Sequence, residues 1–305
     1  ALVSGCGSKP AEQQAPAENK ETEQSAAEKK YKVYLITMDQ MDQHWVNVDK
    51  GCQKAVAELG NIEYKWLAPD VKDDAKQIEC INNAVAGGAD AILLAANGPT
   101  AVTSALKEAQ KANVKIVYVA SPADFEAVAT LSTDNKAAGN TAGKEMIKAL
   151  EAAGIKEGKI GIVSVNAATA STVAREAGFR AAFEGTKYEI LETQYGEGDA
   201  AKSKDIATNY ITQGCVGIFG TNEGSTVGTG NAIKEAGKQV IGVGFDKSDT
   251  ILSLIKEGHL LCTMAQNPDV MGYEGMKIAA KALAGEKIEN TNVDTGVSVI
   301  DKSKL

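Results

Sequence analysis

The chain has 305 residues, of which 44% are hydrophobic and 24% are charged, and its formal net charge is -8. This length and composition predict a globular protein with two lobes, each able to bury a core. The acidic balance, with lysines scattered along the chain, argues against a nucleic-acid-binding surface, which needs clustered positive charge. No apolar run approaches the roughly 18 residues that a membrane-spanning helix requires. Any link to a membrane is therefore expected to be covalent or peripheral.

The first predicted element is an N-terminal tether. Residues 1–6 end in Ser4-Gly5-Cys6 and are similar to the end of a bacterial lipoprotein signal, in which small residues precede a cysteine that becomes lipidated. Residues 7–30 contain no Leu, Ile, Val or aromatic residue, so they cannot bury enough apolar area to fold. We therefore expect a signal remnant with a lipidated Cys6, followed by a disordered spacer of about 25–30 Å. A chance cysteine near the chain end is the alternative.

From Tyr31 onward, short β-rich apolar runs alternate with longer amphipathic patterns. This alternation predicts an α/β fold of two Rossmann-like lobes, in which helices flank parallel sheets. The predicted strands are 33–37, 63–67, 91–96, 116–119, 160–165, 189–193, 216–220, 240–245 and 260–265. The predicted helices include 46–59, 75–86, 100–111 and 140–152, and a helix at 268–284 and an apolar run at 296–300 follow the last strand.

The predicted strands fall into two groups that divide near residues 132–139. We expect an N-terminal lobe from residues 31–133 and 267–293, and a C-terminal lobe from residues 134–266 and 294–305. The last helix and the last apolar run still need places in these lobes. Crossing back between the lobes is one solution, and it creates a multi-stranded hinge.

Four further cysteines lie in apolar stretches: Cys52, Cys80, Cys215 and Cys262. They form no C-x-x-C pair, and the chain has only two histidines, so a zinc site of the Cys/His type has little support. Buried free thiols are the preferred interpretation. Disulfides in an exported protein are the alternative.

Polar side chains follow nearly every predicted strand, beginning with the loop 38–45. Ligands of open α/β sheets bind in the crevice at the carboxyl ends of the strands. Polar groups around a tryptophan suit a polyhydroxylated ring, because each hydroxyl donates and accepts while the C–H face packs on an aromatic. The candidate ligand-binding residues are Asp42, Gln43, His44, Trp45, Asn97, Ser121, Asn166, Arg175, Asn222, Asp246 and Gln266.

These candidates also have structural interpretations. Asn and Asp residues after strands commonly cap the next helix, and a core position is the alternative for Trp45. Arg175 is the strongest single indication, because it is one of only two arginines in the chain and its planar five-donor group suits recognition of several hydroxyls. A surface ion pair with Glu176 is the alternative for Arg175.

Catalytic interpretations find little support. Residues 242–247 begin like a dinucleotide fingerprint, but the sixth position is a lysine and an aspartate lies where a phosphate would bind. The P-loop-like runs 139–144 and 154–159 have the wrong glycine spacing. His44 has no nucleophile that the sequence identifies as its partner. We therefore expect a binding protein without enzyme activity, cofactor or metal.

Several short motifs are specific enough to support a family resemblance. They are Trp45-Val46, Gly51-Cys52-Gln53-Lys54, Gly88-Ala89-Asp90-Ala91-Ile92, Ser132-Thr133-Asp134-Asn135, Ala174-Arg175-Glu176, Asn222-Glu223, Val243-Gly244-Phe245-Asp246 and Ala265-Gln266-Asn267-Pro268. From residue 31 to about 286 the chain resembles the periplasmic sugar-binding proteins of ABC transporters, close to the ribose-binding proteins. The resemblance implies a type I periplasmic binding fold, with two lobes joined by a three-stranded hinge that close on the ligand.

The resemblance also implies roles for individual residues and partners. His44 and Trp45 would stack on the sugar ring. Hydrogen bonds would come from Asn97, Thr133, Arg175, Asn222, Asp246 and Gln266. The expected partners are a sugar or polyol, a membrane permease of the ABC type and the membrane itself through the N-terminal lipid, with the protein acting as a monomer.

The chain departs from the ribose-type pattern at two places. Ala120-Ser121 stands where those proteins place an acid followed by an arginine, and Gly198, with Tyr195 nearby, stands where an aromatic completes the ring sandwich. Asp39, Gln40, Asp42 and Gln43 are candidates for replacement contacts. These departures favour a hexose, a ketose or a cyclic polyol over ribose.

The sequence therefore predicts an extracytoplasmic solute-binding lipoprotein that captures a monosaccharide or related polyol for import. A ligand-sensing receptor for a sensor kinase or a chemoreceptor is the alternative, because the pocket residues do not separate the two outputs. A transcription regulator with this fold is disfavoured, since residues 7–30 lack the apolar periodicity of a helix-turn-helix.

Overall fold

Two largely parallel sheets with flanking helices form the part of the chain that the computed structural model describes, residues 29–305. The strands are β1 (Tyr31–Ile36), β2 (Ile62–Leu67), β3 (Ala91–Leu94), β4 (Lys115–Val119), β5 (Ala129–Ser132), β6 (Gly158–Ser164), β7 (Tyr188–Ile190), β8 (Gln194–Tyr195), β9 (Gly217–Gly220), β10 (Ile241–Phe245), β11 (Cys262–Gln266), β12 (Asn292–Asp294) and β13 (Val297–Asp301). The helices are α1 (Gln43–Leu59), α2 (Asp74–Ala86), α3 (Thr103–Lys111), α4 (Asn135–Ala152), α5 (Ala170–Ala182), α6 (Ala200–Thr212), α7 (Glu223–Ala236), α8 (Asp249–Lys256) and α9 (Pro268–Leu283), followed by a short 3-10 helix at Lys302–Lys304.

The two sheets have the same arrangement of strands. The first has the order β12-β5-β4-β3-β1-β2, and every pair in it is parallel. The second has the order β13-β11-β10-β9-β6-β7, with the short β8 also paired to β6, and only β13 is antiparallel to its neighbour. Helices cover both faces, which is why β3 is an uninterrupted apolar strand with all four residues buried.

The chain passes between the two sheets at three places. After β5 it continues into α4, which packs on β10 and β11; after β11 it continues into α9, which packs on α1 and β4; and β12 leads into β13. The crossing segments are hydrogen-bonded to one another: the Thr295 amide donates to Ser132 O at 2.9 Å, and Asn267 Nδ2 donates to Thr295 O at 2.9 Å. These three adjacent segments form the connection between the lobes.

Each sheet has apolar clusters on both of its faces. In the first lobe, Leu35 and Leu93 face α1 and α9, whereas Ile36 and Leu94 face α2 and α3. In the second lobe the core is aromatic, and the Phe179 and Phe219 rings stack with centroids 4.4 Å apart. Residues 31–305 together form one compact unit.

The predicted element order is confirmed, and the differences are confined to short or locally capped elements. Strands β5, β8 and β12 were not predicted, because these strands of two to four residues contain polar and partly exposed positions and form no apolar run. Helix α4 begins at Asn135 rather than at residue 140, because the Asp134 side chain accepts a hydrogen bond from the Ala137 amide.

The described residues test the prediction about the cysteines but not the prediction of an N-terminal tether. Cys52, Cys80, Cys215 and Cys262 are free, and all but Cys80 are buried, in agreement with the preferred interpretation. The signal remnant, the lipidated Cys6 and nearly all of the predicted spacer lie outside the described residues. Within residues 29–305, no helix combines the length and apolarity needed to cross a bilayer.

Candidate ligand-binding cleft

A cleft lies between the two lobes at the carboxyl ends of the strands, the position predicted for an open α/β sheet. Both sheets contribute lining residues that end a strand or directly follow one. The lining residues are Met38, Asp42, His44, Trp45, Lys72, Ala120, Val165, Thr169, Ser171, Thr172, Arg175, Asn222, Asp246 and Gln266. The first-lobe residues lie in the segments that follow β1, β2 and β4. Most of the second-lobe residues end or follow β6, β9, β10 or β11.

Two aromatic rings at the start of α1 form the apolar part of the cleft. The His44 and Trp45 rings meet edge to face, with centroids 4.6 Å apart. Trp45 also packs into the first-lobe core and is only 5% exposed, so the core interpretation of this residue is confirmed, and its ring lines the cleft as well. Within residues 29–305, its buried Nε1 has no hydrogen-bond partner. An unpaired buried donor costs free energy, which a hydrogen bond to an acceptor would recover.

A buried ionic cluster flanks these rings on the first lobe. Lys72 Nζ donates to the carboxylates of Asp39 and Asp42, the latter at 3.0 Å. Burial raises the pKa of Asp42 to about 6, although Lys72 opposes the shift. Burial lowers the pKa of Lys72, but Asp42 and Asp39 outweigh it and raise that pKa to about 12. Lys72 is therefore charged at neutral pH and is paired within its own lobe.

Arg175 lies on the opposite side of the cleft and is held by neutral groups. Its Nε donates to Asn135 Oδ1 and its NH1 to Thr221 O, both at 2.9 Å, and the guanidinium lies 4.2 Å from the centroid of the Phe245 ring. Burial lowers the pKa of Arg175 to about 10, against the opposing effect of Asp246, so the group stays charged. Its remaining N–H groups make no hydrogen bond within residues 29–305.

The position of Arg175 depends on a close contact between α4 and α5. A Cβ added at Gly139 in α4 would lie 2.0 Å from the backbone oxygen of Arg175, which no side chain can tolerate. Glu176, the next residue, bonds instead to Arg180 at 3.2 Å. The surface ion pair considered for Arg175 is therefore wrong, and the arginine is 4% exposed.

Asp246 connects the second-lobe chemistry to the first lobe. Its Oδ1 accepts from Gln266 Nε2 at 2.6 Å and lies 3.5 Å from His44 Nδ1. Gln266 Oε1 in turn accepts from Thr133 Oγ1 at 3.0 Å. Burial lowers the pKa of His44, so its imidazole is neutral at pH 7. These four side chains form a continuous polar network across the lobes.

Glu223 supplies the other main contact between the lobes. Its two carboxyl oxygens accept from the backbone amides of Gln43 at 2.8 Å and His44 at 3.1 Å. These are the first amides of α1, whose N-cap residue Asp42 makes no side-chain cap, so a second-lobe carboxyl caps a first-lobe helix. Burial, with Asp42 and Asp246 nearby, raises the pKa of Glu223 to about 8.

The structure brings most of the predicted ligand-binding residues together. Seven of them line the cleft: Asp42, His44, Trp45, Arg175, Asn222, Asp246 and Gln266. Three more of these candidates, together with Thr133, which the resemblance indicated, lie at lobe contacts beside the cleft. They are Gln43, whose Oε1 accepts from the Asp249 amide; Asn97, whose backbone oxygen accepts from Thr169 Oγ1; Ser121, whose Oγ accepts from the Ser171 amide; and Thr133, whose Oγ1 donates to Gln266.

Capping and lining coexist at some of these positions. Asn222 Oδ1 accepts from the Ser225 amide and hydroxyl, so the residue both caps α7 and lines the cleft. Asn166 accepts from the Ala168 and Thr169 amides and does not line the cleft. Asn97 Nδ2 donates to Asp74 at 2.6 Å, while its buried Oδ1 has no partner in the described part of the chain.

Several lining residues were not predicted from the sequence, and Lys72 is the most polar of them. It lies in the loop after β2, a strand whose end was not considered, and the aspartates around it, Asp70, Asp73 and Asp74, are typical of a solvated turn. Gly198 does face the cleft: a Cβ there would lie 2.9 Å from Lys72 Nζ and 3.2 Å from Asn222 Nδ2. Tyr195, by contrast, is 44% exposed and lies outside the lining set.

The lobes are closely apposed in this structure. The cleft itself has a volume of about 30 Å³, which is room for roughly two waters. A cavity of about 290 Å³ adjoins it on the hinge side and shares His44, Asp246 and Gln266 with it. A monosaccharide therefore needs the lobes to separate before it can enter. Within residues 29–305, no group of three His, Cys, Asp or Glu side chains is placed to hold a metal ion.

Residues 33–287 match the model of the periplasmic binding protein domain family. The chain belongs to this family. The ribose import binding protein RbsB of Haemophilus influenzae is 30% identical over 249 residues, which is 80% of this chain and 83% of that protein. The D-allose-binding periplasmic protein of Escherichia coli is 25% identical, over 85% and 86% of the two chains.

Solved structures of family members have the same architecture. A solute-binding protein of an ABC transporter from Agrobacterium vitis, with bound D-fucose, is 32% identical with a TM-score of 0.84, covering 89% of this chain and 96% of that one. A carbohydrate transporter solute-binding protein from Agrobacterium radiobacter, in complex with D-arabinose, is 31% identical with a TM-score of 0.86, covering 90% and 95%. The type I periplasmic binding fold is thereby confirmed, as are the extracytoplasmic location and the expectation of a binding protein rather than an enzyme.

Proposed function

We propose that this periplasmic binding protein captures a monosaccharide or cyclic polyol between its lobes and delivers it to an ABC permease. The observation that supports this most directly is the composition of the cleft. Buried donors and acceptors from both lobes surround Trp45, with Arg175 and Asp246 on the second lobe. Such a set matches a ligand whose hydroxyls each donate and accept while its C–H face packs on an aromatic ring.

Capture takes place by closure of the lobes. Because lining residues come from both sheets, a ligand makes its full set of contacts only when the lobes are together, so it shifts the population toward the closed state. The adjacent crossing segments are the natural hinge, and the lobe boundaries proposed from the sequence place one sheet on each side of it. Delivery then follows because the permease recognises the closed form of a monomeric binding protein.

Anchoring at the membrane is the second part of the proposal. A lipid on Cys6 would hold the protein at the outer face of the membrane, since each buried methylene contributes about 0.8 kcal/mol. Residues 7–30, which lack aliphatic and aromatic side chains, would give the lobes reach toward the permease. Mass spectrometry of the protein from its native membrane should show a diacylglycerol mass on the peptide that begins with Cys6.

A melting-temperature screen tests ligand capture. The panel contains D-ribose, D-allose, D-arabinose, D-fucose, D-galactose, D-tagatose and myo-inositol. A ligand at 100 times its Kd adds about 2.7 kcal/mol to stability, which for a chain of this size raises Tm by about 5 °C or more. We expect at least one hexose, ketose or cyclic polyol to exceed D-ribose, with calorimetry confirming one site per chain. No shift with any sugar or polyol would contradict the proposal.

Stimulation of the cognate permease distinguishes transport from sensing. The ligand-loaded protein is added to the permease and ATPase in proteoliposomes, and ATP hydrolysis is measured. We expect the loaded protein to raise the ATPase rate more than the ligand-free protein does. An unchanged rate, together with ligand-dependent binding to a sensor kinase ectodomain, would support the receptor alternative instead.

A further inference from the structure

Lys72 occupies an unusual position for a lysine. Its side chain is 4% exposed, and it comes from the loop between β2 and α2, at the edge of the first sheet. It nevertheless lines the cleft together with second-lobe residues. Lysine is almost never fully buried unless it is paired, and the pairing here to Asp39 and Asp42 holds the ammonium at the boundary between the lobes.

The ammonium group still has donor capacity beyond these two carboxylates. It has three N–H groups, and Asp39 and Asp42 accept from it within its own lobe. On the other side lies Gly198: both Lys72 Nζ and Asn222 Nδ2 come within 3.2 Å of the point that a Cβ of Gly198 would occupy. Two nitrogen donors, one from each lobe, therefore converge in front of a residue that has no side chain.

The charges of the cleft indicate the kind of ligand. Among the lining residues, the carboxylates of Asp42 and Asp246 balance the cations of Lys72 and Arg175. Asp39 adds a further negative charge beside Lys72. The site therefore has no surplus positive charge for a carboxylate or phosphate. It offers instead a donor and an acceptor side by side, Lys72 and Asp42, which suits two neighbouring hydroxyls.

We propose that Lys72 is a ligand-binding residue that, with Asn222, donates to one oxygen of an uncharged polyhydroxylated ring while Asp42 accepts from the neighbouring hydroxyl. This inference rests on the proposed function and adds a residue and a charge class to it. Gly198 is part of the same arrangement, because a side chain at this position would displace the Lys72 ammonium from the boundary between the lobes.

Calorimetry of Lys72→Met tests the proposal, using the tightest-binding neutral member of the sugar and polyol panel. The matched control is Lys76→Met, because Lys76 lies four residues along the chain and pairs with Asp70 on the surface, where the two side chains are 48% and 77% exposed. We expect Lys72→Met to weaken binding about 10- to 100-fold, as loss of a charge-assisted hydrogen bond does. Lys76→Met should bind like the wild type.

A series of monodeoxy analogues of the same ligand separates contact from structural support. The wild type should lose affinity for the analogue that lacks the oxygen bound by Lys72. Lys72→Met should discriminate less between that analogue and the parent, because only Asn222 still donates to this oxygen. If Lys72 only supports the fold, the variant will bind all analogues more weakly by one common factor, and the proposal is overturned. The double variant Asp39→Asn with Lys72→Met keeps the net charge of the Lys72–Asp39–Asp42 cluster at its wild-type value and gives the same readout if the single variant is unstable.

The charge class has its own measurement. D-galacturonate and D-galactose 6-phosphate should bind at least tenfold more weakly than D-galactose, and tighter binding of either anion overturns the assignment of an uncharged ligand. Binding of a neutral sugar with unchanged deoxy discrimination in Lys72→Met overturns the role of Lys72 alone. Absence of binding by any panel member to the wild type overturns the proposed function and this inference together.

Discussion

The residues that follow β4 in the first lobe and β10 in the second occupy equivalent positions but have different chemistry. Ala120 and Asp246 both have left-handed backbones, with φ of 66° and 80°. Both donate their amide to the neighbouring strand at 2.9 Å, Ala120 to Leu131 O and Asp246 to Met264 O. The backbone therefore directs a residue into the cleft from each lobe, but only Asp246 brings a polar group there.

This difference indicates that the two lobes contribute unequally to ligand binding. The second lobe presents Asp246 and Arg175, and Arg175 is held by neutral acceptors that leave its charge available. The first lobe presents Lys72 and Asp42, which already pair with each other. A ligand thus gains more from the second-lobe groups, because fewer of their interactions are satisfied within the protein.

Of the substitutions considered, replacement of Arg175 should lower the ligand affinity most. Arg175→Met removes the only arginine in the cleft, and we expect the affinity for the neutral panel sugar to fall about 10- to 100-fold, the cost of losing hydrogen bonds to a charged donor. Arg180→Met is the matched control, since Arg180 lies on the same helix and pairs with Glu176 away from the cleft. Equal calorimetric affinities of the two variants would remove Arg175 from the site.

Replacement of Asp246 should have a smaller effect. Asp246→Asn keeps the side-chain shape and tolerates the left-handed backbone, but it removes the negative charge that accepts ligand hydroxyls. We expect affinity to fall about tenfold with little change in Tm. The control is Asp249→Asn, three residues along on the exposed first turn of α8. If Asp246→Asn binds as well as this control, the two lobes do not differ in the way proposed.

The pH dependence of binding should report the contact between the lobes. Burial raises the pKa of Glu223 from 4.5 to about 8, so closure favours its protonated form. The resulting stabilisation of the closed state is fully present below the ordinary pKa and is lost as pH rises through the raised value. We expect the affinity for the panel sugar to fall about tenfold between pH 6.5 and pH 9, the direction that linkage requires.

Glu223→Gln separates this effect from other titrations. The variant should show nearly constant affinity from pH 6.5 to pH 9, because the glutamine amide does not titrate. Below pH 6.5 the lowered pKa of His44 acts in the opposite direction, since closure then excludes the proton. In the wild type the gain from Glu223 opposes this loss down to the ordinary pKa of 4.5, so Glu223→Gln should weaken more than the wild type as the pH falls. An alkaline limb that persists in Glu223→Gln would show that this carboxyl does not control closure.

Much of the architecture could be predicted because the two lobes repeat a strong local pattern. Buried strands such as β3 show as continuous apolar runs, and parallel strands place their following residues at one edge. That geometry is why His44, Trp45, Asn222 and Asp246 could be assigned to one cleft from their positions after predicted strands. The short strands β8 and β12 were missed, because their formation depends on neighbours that are distant in sequence.

The cleft contained residues that no local pattern indicates. Lys72 lies among aspartates in a loop, and a buried role is visible only when Asp39 and Asp42 are brought to it. Glu223 looks like an ordinary first-turn acid of α7, yet it caps α1 in the other lobe. Both roles depend on contacts between residues that are at least 30 positions apart in the chain. Neither segment alone determines the energy of such a contact.

The amino-acid sequence by itself determined the α/β class, the order of the main elements and the set of polar residues that meet at the strand ends, because hydrophobic periodicity and strand direction are local properties. The tertiary structure decided which of these groups are free to bind. It buried Arg175 against Asn135 and Thr221, paired Lys72 with two aspartates, and apposed the lobes through Glu223. Burial and pairing set the charge and the unused donors of a side chain, and both arise only when distant segments pack together.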